Sequence, residues 1–422
     1  MNDPGASPIR RALISVSDKT QLDVLADILI ESKVEVLSTG GTAKALRKFG
    51  VEVVPVSEYT GSPEILGGRV KTLHPKVHGG ILALPTAAHQ AELSLHGIAP
   101  IDLVVVNLYP FQKVTANPDC AFDDAIENID IGGPTMVRAA AKSWQRVAVV
   151  VDPSDYAALG ESLRANNFTV PEQDRLAYAR KAFAHTAAYD AAIATYLHGE
   201  QPSAGGLHVA GAAQQELRYG ENPHQKAHFY RLEVPHAQPG GLGEAVQLQG
   251  KPLSYNNFLD ADGALNVIRD LAGLGTAAAV LKHVSPCGAA YAPKEEGASI
   301  ADIYLRAREA DAESAFGGIV AVTEPVDEAL ARHLVETFLE VVLATSYTPE
   351  AREVLKRKKN LRLLEIPNMF TPHTAAPLRI RSVAGGLLAQ REDLIGVRVA
   401  EGNVVTKRAP TAKESTDLEL AL

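Results

Sequence analysis

A basic stretch between two glycine pairs, GGRVKTLHPKVHGG at residues 67–80, could hold an anion. Arg69 offers a forked donor, Lys71 a point charge and Thr72 a hydroxyl. This combination suits a phosphate group or negative charge that develops during a reaction. The alternative is a mobile surface loop with its glycines as hinges.

Two histidines in the same stretch raise the question of a metal. His74 and His78 have the i, i+4 spacing of a zinc-binding pair. However, Pro75 lies between them and no Glu occupies the position of a general base. We therefore predict that this stretch binds no metal.

A second glycine pair, in STGGT at residues 38–42, precedes a predicted helix. Backbone N–H groups at a helix N-terminus commonly hold phosphates. The spacing is not that of a P-loop, and the alternative is a turn with a Ser or Thr cap. Ser17 and Lys19 follow the first predicted strand, so we expect them at the same edge of a sheet.

Further groups suited to proton transfer lie downstream. Asn107 and Tyr109 leave the fourth predicted strand, Asp130 lies in the turn DIGGPT, and Lys142 comes late in a predicted helix. Taken singly, Asp130 could be a helix N-cap and Lys142 an exposed surface residue. The residues together indicate a site for a phosphorylated small molecule, with Lys, Tyr and Asp available for proton transfer.

The second half of the chain carries LRYGENPHQ, KHVSPCG and SAFGGIVA. The PC of KHVSPCG is part of the signature of zinc nucleobase deaminases, but Ala290 stands where their second Cys is needed. No HxE precedes it, so we predict no zinc. His283 beside Lys282 could instead be a general base at a strand end, or a half-buried structural histidine.

The elements that position these residues follow from alternating patterns. Apolar, β-branched runs such as ALISVS, VEVLSTG and IDLVVVNLYP alternate with amphipathic helical stretches. This alternation predicts an α/β fold with a parallel sheet covered on both faces. We predict Asp18 as the N-cap of the first helix and Gly50 as the C′ residue of the second. A long helix is expected over residues 170–198.

The periodicity disappears after this long helix, which indicates a domain boundary. We predict a first domain over residues 1–200, a linker over 201–215 and a second α/β domain over 216–422. Its predicted strands include AAAVLKHV and LRLLEIP, and its predicted helices include VDEALARHLVETFL. The terminal stretch TAKESTDLELAL opens a helix that nothing closes, so this domain looks unfinished.

Composition narrows the possible partners. The 422 residues include 41 Lys and Arg against 50 Asp and Glu, a net charge of −9 that disfavours nucleic acid. Cys120 and Cys287 are the two cysteines, which suits a reducing compartment. The sequence has no signal-peptide pattern and no apolar run of membrane length, so we expect a cytoplasmic protein with no membrane contact.

Nine runs occur together and in order: SVSDKT, STGGTAKAL, GGRVKTLHPKVHGGIL, NLYPF, IDIGGPT, RAAAK, LRYGENPHQ, KHVSPCG and SAFGGIVAV. This set closely resembles the bifunctional purine biosynthesis enzymes AICAR formyltransferase/IMP cyclohydrolase. The resemblance implies a methylglyoxal-synthase-like N-terminal domain and a cytidine-deaminase-like C-terminal domain, usually in a homodimer. It also implies AICAR, FAICAR and IMP as ligands, 10-formyltetrahydrofolate as co-substrate, and no metal.

The resemblance also implies site residues. Proton transfer in the cyclohydrolase would fall to Lys142, assisted by Lys71, Tyr109 and Asp130. The residues expected to line its nucleotide site are Ser17, Asp18, Lys19, Ser38, Gly40, Gly41, Thr42, Arg69, Val70, Thr72, Val106, Asn107 and Ile131. Those expected in the transformylase site are Arg218, Tyr219, Lys282, His283, Phe316 and Gly317, with His283 as the base and Lys282 beside it.

Members of this family continue beyond the equivalent of Leu422. The resemblance therefore implies a truncated transformylase domain, with a second chain as one source of the missing segment. Two alternatives stay open at this point. One is a non-catalytic nucleotide-binding remnant that needs a partner chain, and the other is a methylglyoxal-synthase-like lyase.

Overall fold

A computed structural model describes residues 7–117, 119–198, 206–232, 240–372, 376–393 and 399–421. The chain forms two compact units, Met1–Ala212 with Tyr230–Ala237, and Ala213–Phe229 with Gln238–Leu422. Residues 201–205 of the predicted linker, and Leu422, lie outside the described residues. Among the described helices, none combines the length and apolarity that crossing a membrane requires.

The first unit alternates strands with helices. Its sheet contains β1 (Arg11–Val16), β2 (Glu35–Ser38), β3 (Val53–Pro55), β4 (Leu103–Asn107) and β5 (Ala148–Val150). Its helices are α1 (Leu22–Glu31), α2 (Gly40–Lys48), α3 (Val56–Thr60), α4 (Pro75–Leu82), α5 (Ala87–Leu95), α6 (Phe111–Thr115), α7 (Phe122–Glu127), α8 (Gly132–Lys142), α9 (Tyr156–Ala165) and α10 (Glu172–His198). The long helix expected over residues 170–198 is therefore confirmed as α10.

All five strands of this sheet are parallel, in the order β3-β2-β1-β4-β5. Alternate residues of β1 point to opposite faces, so that Leu13 joins one core and Ile14 the other. Helices α4, α8 and α10 cover the first core, while α1, α2 and α9 cover the second. The predicted parallel sheet with two covered faces is confirmed.

The two predicted helix ends differ in outcome. Gly50 has a φ of +85°, two residues beyond Lys48, so it occupies the C′ position as predicted. The prediction for Asp18 was wrong, because α1 begins only at Leu22. The Asp18 carboxylate instead accepts the backbone N–H of Thr20 at 2.9 Å and its hydroxyl at 2.7 Å, a local turn that competes with helix capping.

The second unit is built on a mixed sheet. Strands β6 (Gly211–Glu216) and β7 (His228–Leu232) each have residues in both units. The strands that belong to the second unit alone are β8 (Val246–Gln249), β9 (Thr276–Lys282), β10 (Ser285–Ala292), β11 (Gly318–Val322), β12 (Leu339–Ala344), β13 (Arg362–Glu365), β14 (Leu378–Val383) and β15 (Gly386–Arg391). The remaining helices are α11 (Tyr255–Ala272), α12 (Ile300–Glu309), α13 (Glu328–Leu334), α14 (Pro349–Leu355) and α15 (Ala412–Ala421). Short 3₁₀ turns occur at Leu66–Gly68, Pro153–Asp155, Leu242–Glu244, Lys294–Glu296 and Val399–Glu401.

Six strands form this sheet in the order β10-β9-β11-β12-β13-β8. Strands β11, β12 and β13 run parallel, and the outer pairings are antiparallel. Helix α11 packs on one face, while α12, α13 and α14 pack on the other. Strands β14 and β15 form a separate hairpin, and β6 pairs with β7.

One predicted helix of this unit was too long. VDEALARHLVETFL predicted a helix over residues 326–339, but α13 ends at Leu334 and Leu339 begins strand β12. Val341 and Val342 of β12 are fully buried between two neighbouring strands. Short apolar runs do not by themselves distinguish a buried helix from a buried strand, and tertiary pairing decides.

Candidate functional site

The strand order of the first unit reverses between β1 and β4, the place where open α/β sheets bind ligands at the carboxyl ends of their strands. The loops that leave these two strands are joined there. The Ser17 hydroxyl donates to the carbonyl of Leu108 at 2.5 Å, and the backbone N–H of Asp18 donates to Asn107 Oδ1 at 3.2 Å. These bonds fix the two loops to each other, and we call the edge of the sheet that they border the crevice.

The N-terminus of helix α2 lies at the same carboxyl edge of the sheet, because α2 directly follows β2. Gly40 opens the helix with a φ of +46°. Within the described part of the chain, its N-cap residue Thr39 makes no side-chain capping hydrogen bond. The first backbone N–H groups of a helix have no partner inside the helix, and the helix dipole favours an anion beside them. This end of α2 can therefore receive a phosphate.

The hydroxyls around this helix end are used by the fold itself. Ser38 Oγ donates to the carbonyl of Ile14 at 2.7 Å, and Thr42 Oγ1 donates to the carbonyl of Val16 at 2.9 Å. Ser38 is 0% exposed and Val106 is 1% exposed, so neither offers surface to a ligand in this structure. They support the crevice from beneath, because both belong to strands that are covered on each face.

Lys19 connects the loop after β1 to helix α2. Its ammonium group donates to the carbonyl of Val16 and to Thr42 Oγ1, the latter at 3.3 Å. Burial lowers the pKa of Lys19, although Asp18 opposes this effect. The pKa of Asp18 is itself lowered, mainly by the hydrogen bonds from Thr20. A cation and an anion thus lie side by side at the crevice.

The GGRVKTLHPKVHGG loop brings Lys71 to the N-terminus of α2. Lys71 Nζ lies 3.4 Å from Glu64 Oε2 and 3.8 Å from the point that a Cβ on Gly40 would occupy. A Cβ on Gly68 would lie 2.7 Å from Lys71 Cε. The ammonium group of Lys71 is therefore placed between its own loop and the helix end that can receive an anion.

The same loop reaches the third polar turn, DIGGPT. A Cβ on Gly132 would lie 2.8 Å from Thr72 Oγ1, so the Thr72 side chain lies close against the backbone of Gly132. The carboxylate of Asp130 accepts the backbone N–H of Gly133 at 2.8 Å. Burial raises the pKa of Asp130, while hydrogen bonds from backbone N–H groups oppose this effect. Asp130 can therefore take up and release a proton at higher pH than an ordinary carboxyl group.

Four other predicted residues lie at the rim of this cluster. Arg69 forms an ion pair with Glu127, and both side chains are largely exposed. Val70 forms an isolated bridge with Ile65. Tyr109 and Ile131 are 47% and 61% exposed, so they can meet a ligand from the solvent side.

Lys142 is not brought to this cluster within one chain. Helix α8 starts at Gly132, beside Thr72, and ends at Lys142, which is exposed. The two ends of the helix lie about 15 Å apart, at about 1.5 Å per residue. Because α8 leads back to the start of β5, Lys142 lies toward the opposite edge of the sheet, beyond the reach of a lysine side chain.

The predicted residues of the second unit converge on the end of strand β9. Lys282 Nζ donates to the carbonyl of Phe316 at 2.9 Å, which joins the Lys282–His283 pair to the loop that precedes β11. Gly317 has a φ of +77°, and its N–H donates to the carbonyl of Phe338 at 2.7 Å. His283 and Phe316 are exposed. A basic, partly aromatic surface is the result.

Arg218 and Tyr219 are held at the start of helix α11. The backbone N–H of Arg218 donates to Leu253 at 3.3 Å, and the N–H of Tyr255 donates to Tyr219 at 3.2 Å. The guanidinium of Arg218 lies 5.3 Å from the centre of the Tyr219 ring. Further along the same helix, Asp260 bonds the turn that contains His283. One helix therefore positions both predicted motifs.

Sequence reasoning missed several residues that hold these clusters in place. They are Glu64 beside Lys71, Glu127 beside Arg69, Tyr189 beside Asp130 and Asp260 beside Val284. Tyr189 gives no local signal, because it lies 59 residues from Asp130. Gly263, in the interior of helix α11, was a usable signal for Asp260, since an interior helix glycine often marks close packing.

The two clusters together define a class of protein. In the described ranges, no group of three or more His, Cys, Asp or Glu side chains is arranged to hold a metal ion. The first unit brings Lys71 to the N-terminus of α2, near a partly buried carboxyl group of raised pKa, and the second has a Lys–His pair beside an aromatic rim. Such clusters are typical of α/β enzymes that act on small anionic molecules.

Comparison with known proteins makes the family specific. The family described as the AICARFT/IMPCHase bienzyme matches residues 140–422, and the MGS-like domain matches residues 21–135. The bifunctional purine biosynthesis protein PurH of Magnetococcus marinus is 48% identical over 98% of this chain and 78% of the relative. PurH of Bacillus thuringiensis subsp. konkukian is 48% identical over 98% of this chain and 79% of the relative. The chain belongs to the AICARFT/IMPCHase bienzyme family, and the resemblance seen in its motifs is confirmed.

A solved chain titled "Crystal structure of ForH" also matches, at 39% identity and a TM-score of 0.40. The match covers 44% of this chain and 95% of that one.

Proposed function

We propose that the crevice of the first unit closes the ring of FAICAR to give IMP, and that the Lys–His cluster of the second unit transfers a formyl group to AICAR. As a member of its family, the chain is an enzyme of purine biosynthesis with IMP cyclohydrolase and AICAR formyltransferase functions. The roles of individual residues below are proposals, supported by the geometry already described.

Ring closure needs charge stabilisation and proton movement. The carboxamide nitrogen attacks the formyl carbon, and the formyl oxygen leaves as water with one proton from each of the two nitrogens. Oxygen carries developing negative charge during the attack, so a nearby ammonium group lowers the barrier. A carboxyl group that exchanges protons in the working pH range can assist both proton transfers.

One observation carries the assignment to the first unit. The loop that contains Lys71 and Thr72 lies between the N-terminus of α2 and the turn of Asp130. A nucleotide whose phosphate rests on the first N–H groups of α2 would extend its base toward Lys71 and Asp130. We assign charge stabilisation to Lys71, proton transfer to Asp130, and contacts at the outer rim to Arg69 and Tyr109.

Lys142 lies apart from these groups. The family resemblance gives it the proton transfer, but α8 holds it about 15 Å from Gly132. Within one chain, Lys142 can therefore affect ring closure only through the fold, and direct contact would have to come from a second copy.

In the second unit we propose 10-formyltetrahydrofolate as the formyl donor. The amine of AICAR attacks the formyl carbon, the bond from that carbon to the folate nitrogen breaks, the amine loses a proton and the folate nitrogen gains one. We assign acceptance of the amine proton to His283, which follows the end of β9 directly after Lys282. Arg218 and Tyr219 offer a cation and a ring for the anionic nucleotide.

Purified protein tests the two halves separately. With FAICAR alone, we expect IMP to form, and Asp130→Asn and Lys71→Ala to lower kcat by about 10²-fold or more each. With AICAR and 10-formyltetrahydrofolate, we expect FAICAR and then IMP, and a similar loss in His283→Ala. Failure of the wild-type protein to consume FAICAR would overturn the first assignment, and unchanged formyl transfer in His283→Ala would overturn the second.

A further inference from the structure

The turn between β9 and β10 has an unusual backbone. Lys282 pairs with Ser285 across this hairpin, so His283 and Val284 form a two-residue connection. Their φ angles are +54° and +64°. Hairpins of this kind normally place Asn and Gly at these two positions, because a Cβ is unfavourable there. A β-branched residue such as Val284 is a strong exception.

Such a conformation persists only where its surroundings enforce it. Residues held in sparsely populated backbone regions are strained, and they cluster at functional sites. Here the strained pair includes His283, the proposed base. The question is which contacts hold the turn in this shape.

Helix α11 supplies the first contact. Asp260 Oδ1 accepts the backbone N–H of Val284 at 2.8 Å. A charge-assisted hydrogen bond of this kind is stronger than one between neutral groups. It binds the second residue of the strained pair directly, and therefore fixes the direction in which the chain leaves His283.

The same helix leaves room for the turn. A Cβ on Gly263 would lie 3.1 Å from Val284 Cγ1 and 3.5 Å from its Cα. Asp260 and Gly263 are three residues apart, so they share one face of α11. Asp260 bonds the turn, and Gly263, which has no side chain, allows Val284 to pack close to the helix. On the far side, Lys282 Nζ is bonded to the carbonyl of Phe316 at 2.9 Å.

We propose that Asp260 is a positioning residue for formyl transfer: its carboxylate holds the His283–Val284 turn in the left-handed conformation that presents the imidazole of His283 to substrate. This inference rests on the proposed function, since it takes His283 to be the base. Asp260 acts through the backbone and needs no contact with substrate.

Substitutions on helix α11 should have distinct effects on formyl transfer by this protein. In Asp260→Ala the turn loses its anchor, so we expect kcat for formyl transfer to fall at least tenfold while KM for AICAR stays within twofold. Asp260→Asn keeps an oxygen acceptor for the Val284 N–H and should retain most of the activity. Asp270→Ala removes another carboxylate from α11 and serves as the matched control.

A suppressor variant separates positioning from general damage to the fold. Glycine adopts positive φ at no cost. The double variant Asp260→Ala with Val284→Gly should therefore have a kcat for formyl transfer at least fivefold higher than that of Asp260→Ala. A defect in the stability of helix α11 would not respond to this change. Hydrogen exchange of the Val284 amide gives a readout without turnover, and it should become at least tenfold faster in Asp260→Ala.

The possible outcomes distinguish the positioning role of Asp260 from the proposed function of the second unit. If His283→Ala abolishes formyl transfer while Asp260→Ala keeps wild-type kcat, the positioning role is wrong and the proposed function stands. If His283→Ala retains full activity, or the wild-type protein transfers no formyl group, the proposed function of this unit fails. In that case hydrogen exchange of the Val284 amide still tests whether Asp260 holds the turn. Equal exchange rates in wild type and Asp260→Ala would show that it does not.

Discussion

The hydroxyl of Tyr189 accepts the backbone N–H of Asp130 at 2.9 Å. It also donates to the carbonyl of Asn128 at 3.2 Å, so one side chain of helix α10 spans the turn that presents the Asp130 carboxylate. The Tyr189 ring lies edge-on to Phe111, with 6.3 Å between ring centres. The position of the proposed proton-transfer group thus depends on a residue far along the chain.

Tyr189→Phe should lower kcat for ring closure by about tenfold, because the lost hydroxyl leaves two polar backbone groups unpaired and the turn free to shift. The free energy of unfolding should fall by about 1–3 kcal/mol. Tyr196→Phe is the matched control, since Tyr196 packs on the same Phe111 ring at 5.5 Å. Equal kcat in the two variants would contradict the role given to Tyr189.

Two neighbouring glycines allow the placement of Lys71 to be tested. Gly67 and Gly68 have φ of +64° and +90°, so alanine strains the backbone at either position. Only at Gly68 would the new Cβ meet Lys71, 2.7 Å from its Cε, whereas open space surrounds the Gly67 position. We expect kcat/KM for FAICAR to be at least tenfold lower in Gly68→Ala than in Gly67→Ala. Similar values in steady-state assays would show that Lys71 does not need its present position.

The place of Lys142 predicts how it should respond to substitution. Because it lies at the far end of α8 from Gly132, Lys142→Ala should leave the Kd for IMP within about twofold of wild type. Lys71→Ala should weaken IMP binding by about tenfold, a loss of about 1.4 kcal/mol. Calorimetric titration of both variants checks this contrast. A tenfold loss of affinity in Lys142→Ala would mean that this side chain reaches bound nucleotide, for example from a second copy.

The raised pKa of Asp130 predicts a pH dependence of stability. Burial lifts this pKa above the ordinary value of 3.8, so between 3.8 and the folded-state pKa the folded protein binds more protons than the unfolded chain. The contribution of Asp130 to the free energy of unfolding therefore falls as pH rises through that window. Asp130→Asn lacks this loss, and its stability relative to wild type should improve with rising pH, by at most about 1.4 kcal/mol per pH unit. Denaturant titrations from pH 4 upward measure it, and a difference that declines with pH would be inconsistent.

Much of the first unit could be predicted because its signals are local. Apolar runs marked the strands, and residues after successive strands of a parallel sheet meet at one edge, so the closeness of Ser17, Thr42 and Asn107 followed. The contacts of Tyr189 and Asp260 could not be predicted, since their partners lie 59 and 24 residues away. No periodicity encodes such a pairing.

The case of Lys142 is different, because the sequence already held the necessary information. DIGGPT and RAAAK lie at the two ends of one predicted helix, and a helix separates its ends by its own length. A family resemblance indicates that Lys142 matters. Its distance from Gly132, however, follows from the length of helix α8. The roles assigned to individual side chains stay predictions until the variants above are measured.

The hydroxyls of Ser17, Ser38 and Thr42 are all bonded to backbone carbonyls at the crevice. In a saturation mutagenesis screen of these positions, the tolerated residues should accordingly be those that keep the backbone conformation and its hydrogen bonds. Contacts with a ligand should limit them less. Alanine at Ser38 should then reduce protein abundance before it alters substrate preference. Any β-branched residue at Gly40 should be depleted at once, because its φ of +46° excludes it.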